Sequence, residues 1–176
     1  MSGSGDRRAR FEALYGEHVT AVARYCRRRS PPHIADDVAA ETFLVAWRRL
    51  DALPADVRPW LFGVARNLLA NHSRGERRQR AVRDRLAAER PVPPPEPGDP
   101  GAAVCAALAQ LSERDREALM LIHWEGLTPT QAARVLGTTA AAMRVRLHRA
   151  HRRLARMLDA DPATAPTPTF EPGGLR

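Results

Sequence analysis

The run PVPPPEPGDPG, at residues 91–101, divides this chain into two parts. Each proline lacks a backbone N–H and restricts the residue before it, so the run can neither continue a helix nor enter a central strand. We expect it to form an extended, semi-rigid linker. The chain must therefore fold as two blocks, which we place at residues 6–90 and 102–158. A second Pro/Thr-rich stretch predicts a disordered tail over residues 159–176.

Both blocks carry the apolar spacing of amphipathic helices, and neither shows convincing strand alternation. A stripe from Phe11 to Cys26 repeats at three and four residues over four turns. A second helix is expected from about Ile34 to Leu50, and a third starts at Pro59, which suits a first helical position. We therefore predict an all-α fold of two small helical domains joined by the Pro-rich linker.

The second block contains clear signals for helix ends. Ser112 is expected to open one helix, and Thr128, followed by proline and Gln131, has the pattern of a capping box. Gly137 is a candidate left-handed C-cap, and Thr139 can cap the last helix. The block thus reads as a four-helix domain whose last two helices are joined by a very short turn.

The charge of the chain favours a polyanionic partner. The formal net charge is +8, and all 28 basic residues are arginine. Arginine suits bidentate contacts to phosphate and guanine. A GC-rich genome would explain the missing lysine, but not where the arginines sit. The two cysteines, Cys26 and Cys105, lie far apart on apolar helical stripes, so we expect core thiols in a reducing compartment.

The last helix separates an apolar stripe from a basic face. Met143, Leu147, Ala150 and Leu154 recur at spacings of four, three and four. The opposite or flanking positions hold Arg144, Val145, Arg146, His148, Arg149 and Arg152. A short helix, a tight glycine turn and a second helix with outward arginines are typical of a helix-turn-helix DNA reader. A basic helix exposed to solvent is the alternative.

Residues 108–154, from LAQLSERDREALMLIHWEGLTPT to HRAHRRL, resemble the promoter −35-reading domain of bacterial sigma factors, and within them the extracytoplasmic-function (ECF) group of the sigma-70 family. The first block agrees. Its segment ADDVAAETFLVAW resembles the part that docks on RNA polymerase, and RPWLFGVARNLLANHSR resembles the part that melts and reads the −10 element. The resemblance covers most of residues 11–157 in the family's order, with a linker where the family has one.

The resemblance implies roles for the first block. The residues that it places against the β′ clamp helices of core RNA polymerase are Asp37, Ala40, Glu41 and Leu44. Many members have Gln where this chain has Ala40, which removes one polar contact. The residues that it places near the −10 strand are Trp60, Arg66, Asn67, Asn71 and Arg74. The asparagines can read an unstacked base and the arginines can neutralise phosphates, whereas Trp60 more often belongs to a core.

For the second block, the resemblance implies −35 contacts by the basic face just described, with Gln131 of the supporting helix near phosphate. Valine at position 145, where relatives carry a small polar residue, cannot donate a hydrogen bond and suits a thymine methyl group instead. The implied partners are core RNA polymerase, including its β flap, promoter DNA and, for many members, an anti-sigma factor. No cofactor or metal is expected.

Other functions remain open at the level of sequence. The chain lacks paired catalytic carboxylates, a phosphate-binding glycine loop and a nucleophile motif, so we do not expect an enzyme. No signal core or long apolar run is present, which predicts a cytoplasmic protein without a membrane partner. The main alternative is a stand-alone helix-turn-helix regulator, and another is a protein that occupies polymerase without reading DNA.

Overall fold

A computed structural model describes residues 3–83 and 100–159, with side chains over 5–75 and 104–159. The described parts contain seven α-helices and no strand, which confirms the predicted all-α class with two helical domains. The helices are α1 (Gly3–Arg27), α2 (Pro32–Arg48), α3 (Val57–Arg83), α4 (Pro100–Gln110), α5 (Glu113–His123), α6 (Pro129–Leu136) and α7 (Ala140–Asp159), with a 3-10 turn at Leu50–Ala52. Residues 91–99 of the linker expected at 91–101, and residues 160–176 of the tail expected at 159–176, lie outside the described residues.

The first domain packs α1, α2 and α3 around an aromatic core. Tyr25 stacks on Phe62 with ring centroids 5.0 Å apart, and both side chains are fully buried. Tyr15 meets Phe43 edge-on at 4.8 Å. These contacts fix α1 against α2 and α3, because offset and edge-on aromatic pairs add specific geometry to apolar burial.

Several predicted boundaries differ from the structure. Helix α2 spans Pro32–Arg48 rather than about Ile34 to Leu50, and the starts of α3 and α4 also differ. Helix α3 begins at Val57, two residues before Pro59. The first four N–H groups of a helix have no intrahelical partner, so proline is tolerated anywhere in that turn. Helix α4 begins at Pro100, inside the predicted linker, for the same reason. Cys26 is buried as expected, but Cys105 is exposed, so its prediction as a core thiol was wrong.

The second domain confirms the predicted caps. The Ser112 hydroxyl accepts from the Asp115 amide, and Thr128 and Gln131 form a complete capping box at the start of α6. Gly137 ends α6 with φ +62°, a left-handed conformation that glycine adopts without strain. The hydroxyl of Thr139 accepts from the Ala142 amide at 3.1 Å and caps α7. A turn of three residues therefore joins α6 to α7.

The two domains pack against each other in a closed arrangement, in which α3 lies against α6. Their buried apolar side chains form one contiguous cluster that includes Phe62 of α3 and Val135 of α6. Ion pairs also cross between the domains, from the end of α1 to α5 and to the turn after it. The two helices predicted to read DNA, α3 and α7, thus belong to domains that pack against each other.

Candidate nucleic-acid interface

The basic face of α7 is formed as the sequence predicts, over a buried stripe. Met143, Leu147 and Ala150 are buried and Leu154 is half-buried, so they anchor α7 in the domain. On the other side, the exposed candidates are Arg144, Val145, His148, Arg149 and Arg152. Arg146 is half-buried, and its Nε lies 3.7 Å from the Asp115 carboxylate. The face offers guanidinium groups that could reach phosphates and base edges in one groove.

Most of these arginines have no carboxylate partner among the described residues. Arg144, Arg149 and Arg152 form no ion pair within the part of the chain that the structure covers. In contrast, Arg153 binds Asp115 at 3.2 Å and so serves the packing of α7 on α5. A row of cations without acidic neighbours keeps its attraction for an external polyanion.

Gln131 is placed at the start of α6, but its side chain is already engaged. Its Oε1 accepts from the Thr128 amide at 2.9 Å, which completes the capping box. Its Nε2 donates to the Asp56 carboxylate at 3.1 and 3.3 Å, and Asp56 belongs to the first domain. Arg134 donates to the same carboxylate at 3.2 Å. The residue predicted to lie near phosphate therefore contacts a protein carboxylate in this arrangement.

The predicted −10 residues lie along α3 and differ in their exposure to solvent. Asn67 and Asn71 are both exposed, although the Asn71 Oδ1 accepts from Arg74 at 2.7 Å. Arg66 is half-buried. Trp60 is half-buried and packs against the core, as the sequence favoured. The two asparagine side chains are thus accessible to a single DNA strand, whereas Trp60 packs against the core of its domain.

A basic cleft of about 660 Å³ lies where α1, α3 and α5 meet. Arginines from α3, from α5 and from the turn after α1 line it: Arg28, Arg29, Arg66, Arg74, Arg114 and Arg116. Two acids, Glu113 and Glu117, line the same space. Both candidate −10 arginines, Arg66 and Arg74, therefore line a cleft that the second domain also lines.

The candidate polymerase-docking residues share one exposed face of α2. Asp37, Ala40, Glu41 and Leu44 are all exposed, and Leu44 retains 54% of its surface. Trp47 follows one turn later and is still 37% exposed, with Phe11 against its ring edge at 5.1 Å. An apolar and acidic face with this exposure is suited to a protein partner.

The interdomain ion cluster was not found by sequence reasoning. Arg29 donates from Nε to Glu117 at 2.9 Å and from Nη1 to Glu125 at 3.0 Å. Arg28 binds the other Glu125 oxygen at 2.6 Å, and Arg58 donates to the Glu125 carbonyl. Glu125 is only 2% exposed, although it lies in a polar turn. A single sequence gives no signal for such pairs, since their partners are nearly 100 residues apart.

Burial and charge in this cluster shift three pKa values. Burial raises the pKa of the Tyr25 hydroxyl well above its usual value, and the Glu117 charge adds to the rise. Burial also raises the pKa of Cys26 to about 11. For Arg29, burial lowers the pKa, but the charge and hydrogen bond of Glu117, with the further charges of Tyr25 and Glu125, together raise it by more, so the pKa is raised. Tyr25 thus donates to Glu117 at 3.0 Å as a neutral phenol.

The described side chains contain no group of three or more His, Cys, Asp or Glu residues that could hold a metal ion. His151 of α7 pairs with His123 of α5, with the two Nε2 atoms 2.8 Å apart. This pair joins α5 to α7. Within the described helices, none is long and apolar enough to cross a membrane.

Comparisons with known proteins agree with the geometry. Residues 14–79 match the family model of Sigma-70 region 2, and residues 103–154 match that of Sigma-70, region 4. The chain is 33% identical over 158 residues to the ECF RNA polymerase sigma factor SigL of Mycobacterium tuberculosis, covering 83% of this chain and 87% of the relative. It is also 33% identical to the RNA polymerase sigma factor CnrH of Cupriavidus metallidurans, covering 92% of each chain.

Two solved structures are similar over both domains. CnrH in complex with the cytosolic domain of CnrY is 32% identical, with a TM-score of 0.62 and coverage of 90% of this chain and 92% of that chain. The sigma factor RpoE in complex with the anti-sigma factor NepR, from Bartonella quintana, is 26% identical, with a TM-score of 0.67 and coverage of 86% and 98%.

Proposed function

This chain belongs to the ECF group of the sigma-70 family, and from that premise we propose how its two domains divide promoter recognition. It is an RNA polymerase sigma factor that acts in promoter recognition and transcription initiation, with core polymerase and promoter DNA as its partners. We propose that residues 6–90 dock on polymerase and read the −10 element. Residues 102–158 would read the −35 element, and residues 91–101 would connect them.

The −35 role rests on the basic face of α7. Arg144, Arg149 and Arg152 are exposed and have no acidic partner within the described residues, above a stripe that fixes the helix in its domain. We propose that Arg144, His148 and Arg149 reach base edges while Arg146 and Arg152 lie nearer phosphates. Val145, which is 50% exposed, would contact a thymine methyl group.

The −10 role rests on the two asparagines of α3. Asn67 and Asn71 lie four residues apart and are both exposed, so an unstacked base could meet their donors and acceptors together. Unstacking costs a few kcal/mol, which contacts to the extruded base can offset. Arg66 and Arg74 would then neutralise phosphates on either side. Trp60 would support the helix from the core.

The exposed face of α2 is proposed to bind the β′ clamp helices through Asp37, Ala40, Glu41 and Leu44, and the second domain to contact the β flap. In the two similar structures, RpoE is bound to the anti-sigma factor NepR and CnrH is bound to the cytosolic domain of CnrY. They support an anti-sigma factor as a further partner. We place the protein in the cytoplasm, where core polymerase acts, and we assign catalysis to polymerase rather than to this chain.

Transcription in vitro with core polymerase, followed by start-site mapping, tests this function. The full chain should direct initiation at a defined set of start sites, and the Arg149→Ala variant should weaken initiation wherever a −35 element is needed. A chain that binds palindromic DNA tightly as a dimer, without polymerase and without directing initiation, would instead be a stand-alone regulator. A chain that binds polymerase but is indifferent to Arg149→Ala would not read the −35 element.

A further inference from the structure

The Asp56 carboxylate of the first domain contacts the helix-turn-helix of the second domain. Asp56 lies just before α3, in the loop at residues 53–56. Its carboxylate is held by the Gln131 Nε2 at 3.1 and 3.3 Å and by the Arg134 Nη1 at 3.2 Å. Both donors belong to α6, the supporting helix of the helix-turn-helix. An acid of the first domain is therefore bound at the start of the second domain's DNA-reading unit.

A DNA phosphate and this carboxylate would require the same donors. In helix-turn-helix proteins the first helix of the motif crosses the DNA backbone, and amide, guanidinium and helix N-terminal groups bind phosphate there. Helix α6 presents Gln131 in its first turn and Arg134 one turn later. The Asp56 carboxylate offers the acceptor oxygens and negative charge of a phosphate. A phosphate at this place would also be repelled by Asp56.

We propose that Asp56 is an internal phosphate mimic, which holds the free chain in its closed arrangement and competes with −35 DNA for α6. The exposed face of α7 is not covered by this contact. The competition therefore acts on the backbone-binding side of the motif and not on the base-reading side. Free chain would bind DNA weakly, although its reading helix is fully formed.

The interdomain ion cluster and the apolar contact between α3 and α6 also favour the closed arrangement. Glu117 and Glu125 of the second domain bind Arg29, which keeps only 11% of its side-chain surface, and Arg28 also binds Glu125. Removing one partner from a buried pair is costly, because the other charge is left without compensation. This cluster keeps Asp56 next to Gln131 and Arg134, so the acid acts at high effective concentration.

Promoter binding would require this arrangement to open. The −10 and −35 elements lie apart along the duplex, whereas α3 and α6 are in contact here. A chain bound to both elements has to separate these helices, and Asp56 then leaves α6. The inference rests on the proposed −35 role of the second domain, and it assigns to Asp56 the regulation of that same site.

The test compares two charge-matched variants of the full chain without polymerase. Asp56→Asn removes the acid at α6. Asp36→Asn, the control, removes an acid of the same domain that binds Arg27 at 2.9 Å in an exposed pair and does not touch the second domain. Affinity for a labelled duplex of random sequence is measured by fluorescence anisotropy, because phosphate contacts do not depend on sequence. Small-angle scattering of the same samples gives the radius of gyration.

We expect Asp56→Asn to bind the duplex about fivefold to tenfold more tightly than wild type and to have a larger radius of gyration, since the competent open form becomes populated. The control should gain less than about twofold from its changed charge and keep its radius. Equal gains in the two variants, or a gain by Asp56→Asn without expansion, would overturn the proposal. The assay contains no polymerase, so failure here leaves the transcription test of the proposed function unaffected.

Discussion

Arginines serve two different purposes in this chain, and the difference lies in their partners. At the domain boundary, Arg28 and Arg29 bind Glu117 and Glu125 and are largely removed from water. On α7, Arg149 and the other two exposed arginines of the basic face form no ion pair within the described residues. The first group is satisfied inside the molecule, whereas the second keeps its charge for an external partner.

This contrast shows that net charge alone does not indicate which arginines can bind DNA. The composition predicts a polyanionic partner, and the family membership agrees with that prediction. Several of the 28 arginines, however, form ion pairs within the molecule. The buried pairs depend on low exposure and fixed geometry, while exposed charges act over longer distances and are screened by salt. Changes to the two groups should therefore be distinguishable by experiment.

The largest effect is expected from breaking the buried group. Glu125→Gln leaves Arg28 and Arg29 without their shared carboxylate at a position that is 2% exposed. We expect the free energy of unfolding to fall by about 3 kcal/mol, because Arg28 loses its buried carboxylate partner and Arg29 keeps only Glu117. Urea unfolding followed by circular dichroism measures this change. The exposed pair provides the control: Asp36→Asn should cost less than about 0.5 kcal/mol. Equal costs would remove the distinction between buried and exposed pairs.

The exposed group should show the opposite pattern. Arg149→Ala is expected to cost about 1–3 kcal/mol of promoter binding by the holoenzyme at one −35 base pair. Its free energy of unfolding should stay within about 0.5 kcal/mol of wild type, because the side chain is exposed. Binding to promoters substituted base by base in the −35 element locates the contact. A uniform loss at every sequence would make Arg149 a phosphate contact instead.

The stability of the chain should depend on pH because its buried core contains a thiol with a raised pKa. The pKa of Cys26 is raised from 9.0 to about 11, so the folded chain holds this proton more tightly than the unfolded chain. Its contribution is complete below pH 9 and is lost as the pH rises toward 11. We expect this thiol to account for about 1–2 kcal/mol of the alkaline loss in the free energy of unfolding.

Urea titrations between pH 8 and pH 11 (a range that spans both pKa values) measure that loss. The Cys26→Ala variant should be less stable at neutral pH, because a small cavity forms, but its stability should fall less steeply above pH 9. The raised pKa of Tyr25 produces a loss of the same sign at higher pH, and this loss should persist in the variant. Identical slopes for the two proteins would contradict the burial of the Cys26 thiol.

The smallest effect concerns the one apolar side chain on the basic face. If Val145 contacts a thymine methyl group, replacing that thymine by uracil should weaken binding by about 1 kcal/mol, the value of one buried methyl group. In Val145→Ala the same replacement should have no effect. A wild-type protein that is indifferent to uracil throughout the −35 element would leave Val145 without a base contact.

Local features of the fold could be predicted from the sequence because their causes are local. The capping box of Thr128 and Gln131, the left-handed Gly137 and the apolar stripe from Met143 depend on residues within one or two turns. The start of α3 was misplaced by two residues, since proline is tolerated throughout a first turn.

The closed arrangement could not be predicted in this way. Arg29 and Glu117 are separated by 88 residues, and Asp56 and Gln131 by 75. Before folding, each reads as an ordinary surface charge or amide. Glu125 lies in the turn WEGLT, where a polar residue needs no explanation, yet it is among the most buried charges in the described residues. Only the packing of α3 on α6 brings these groups together.

The distance between the domains tests the central claim, that paired arginines hold the free chain closed and polymerase releases it. One fluorophore can be placed on the exposed Cys105, and the other on a cysteine introduced by Glu17→Cys at an exposed position of α1. Cys26 is buried, so it is protected from labelling. Energy transfer should be high in the free chain, and low both in Glu125→Gln and after core polymerase is added. Transfer that is already low in the free wild-type chain, or that does not change on binding polymerase, would contradict the account.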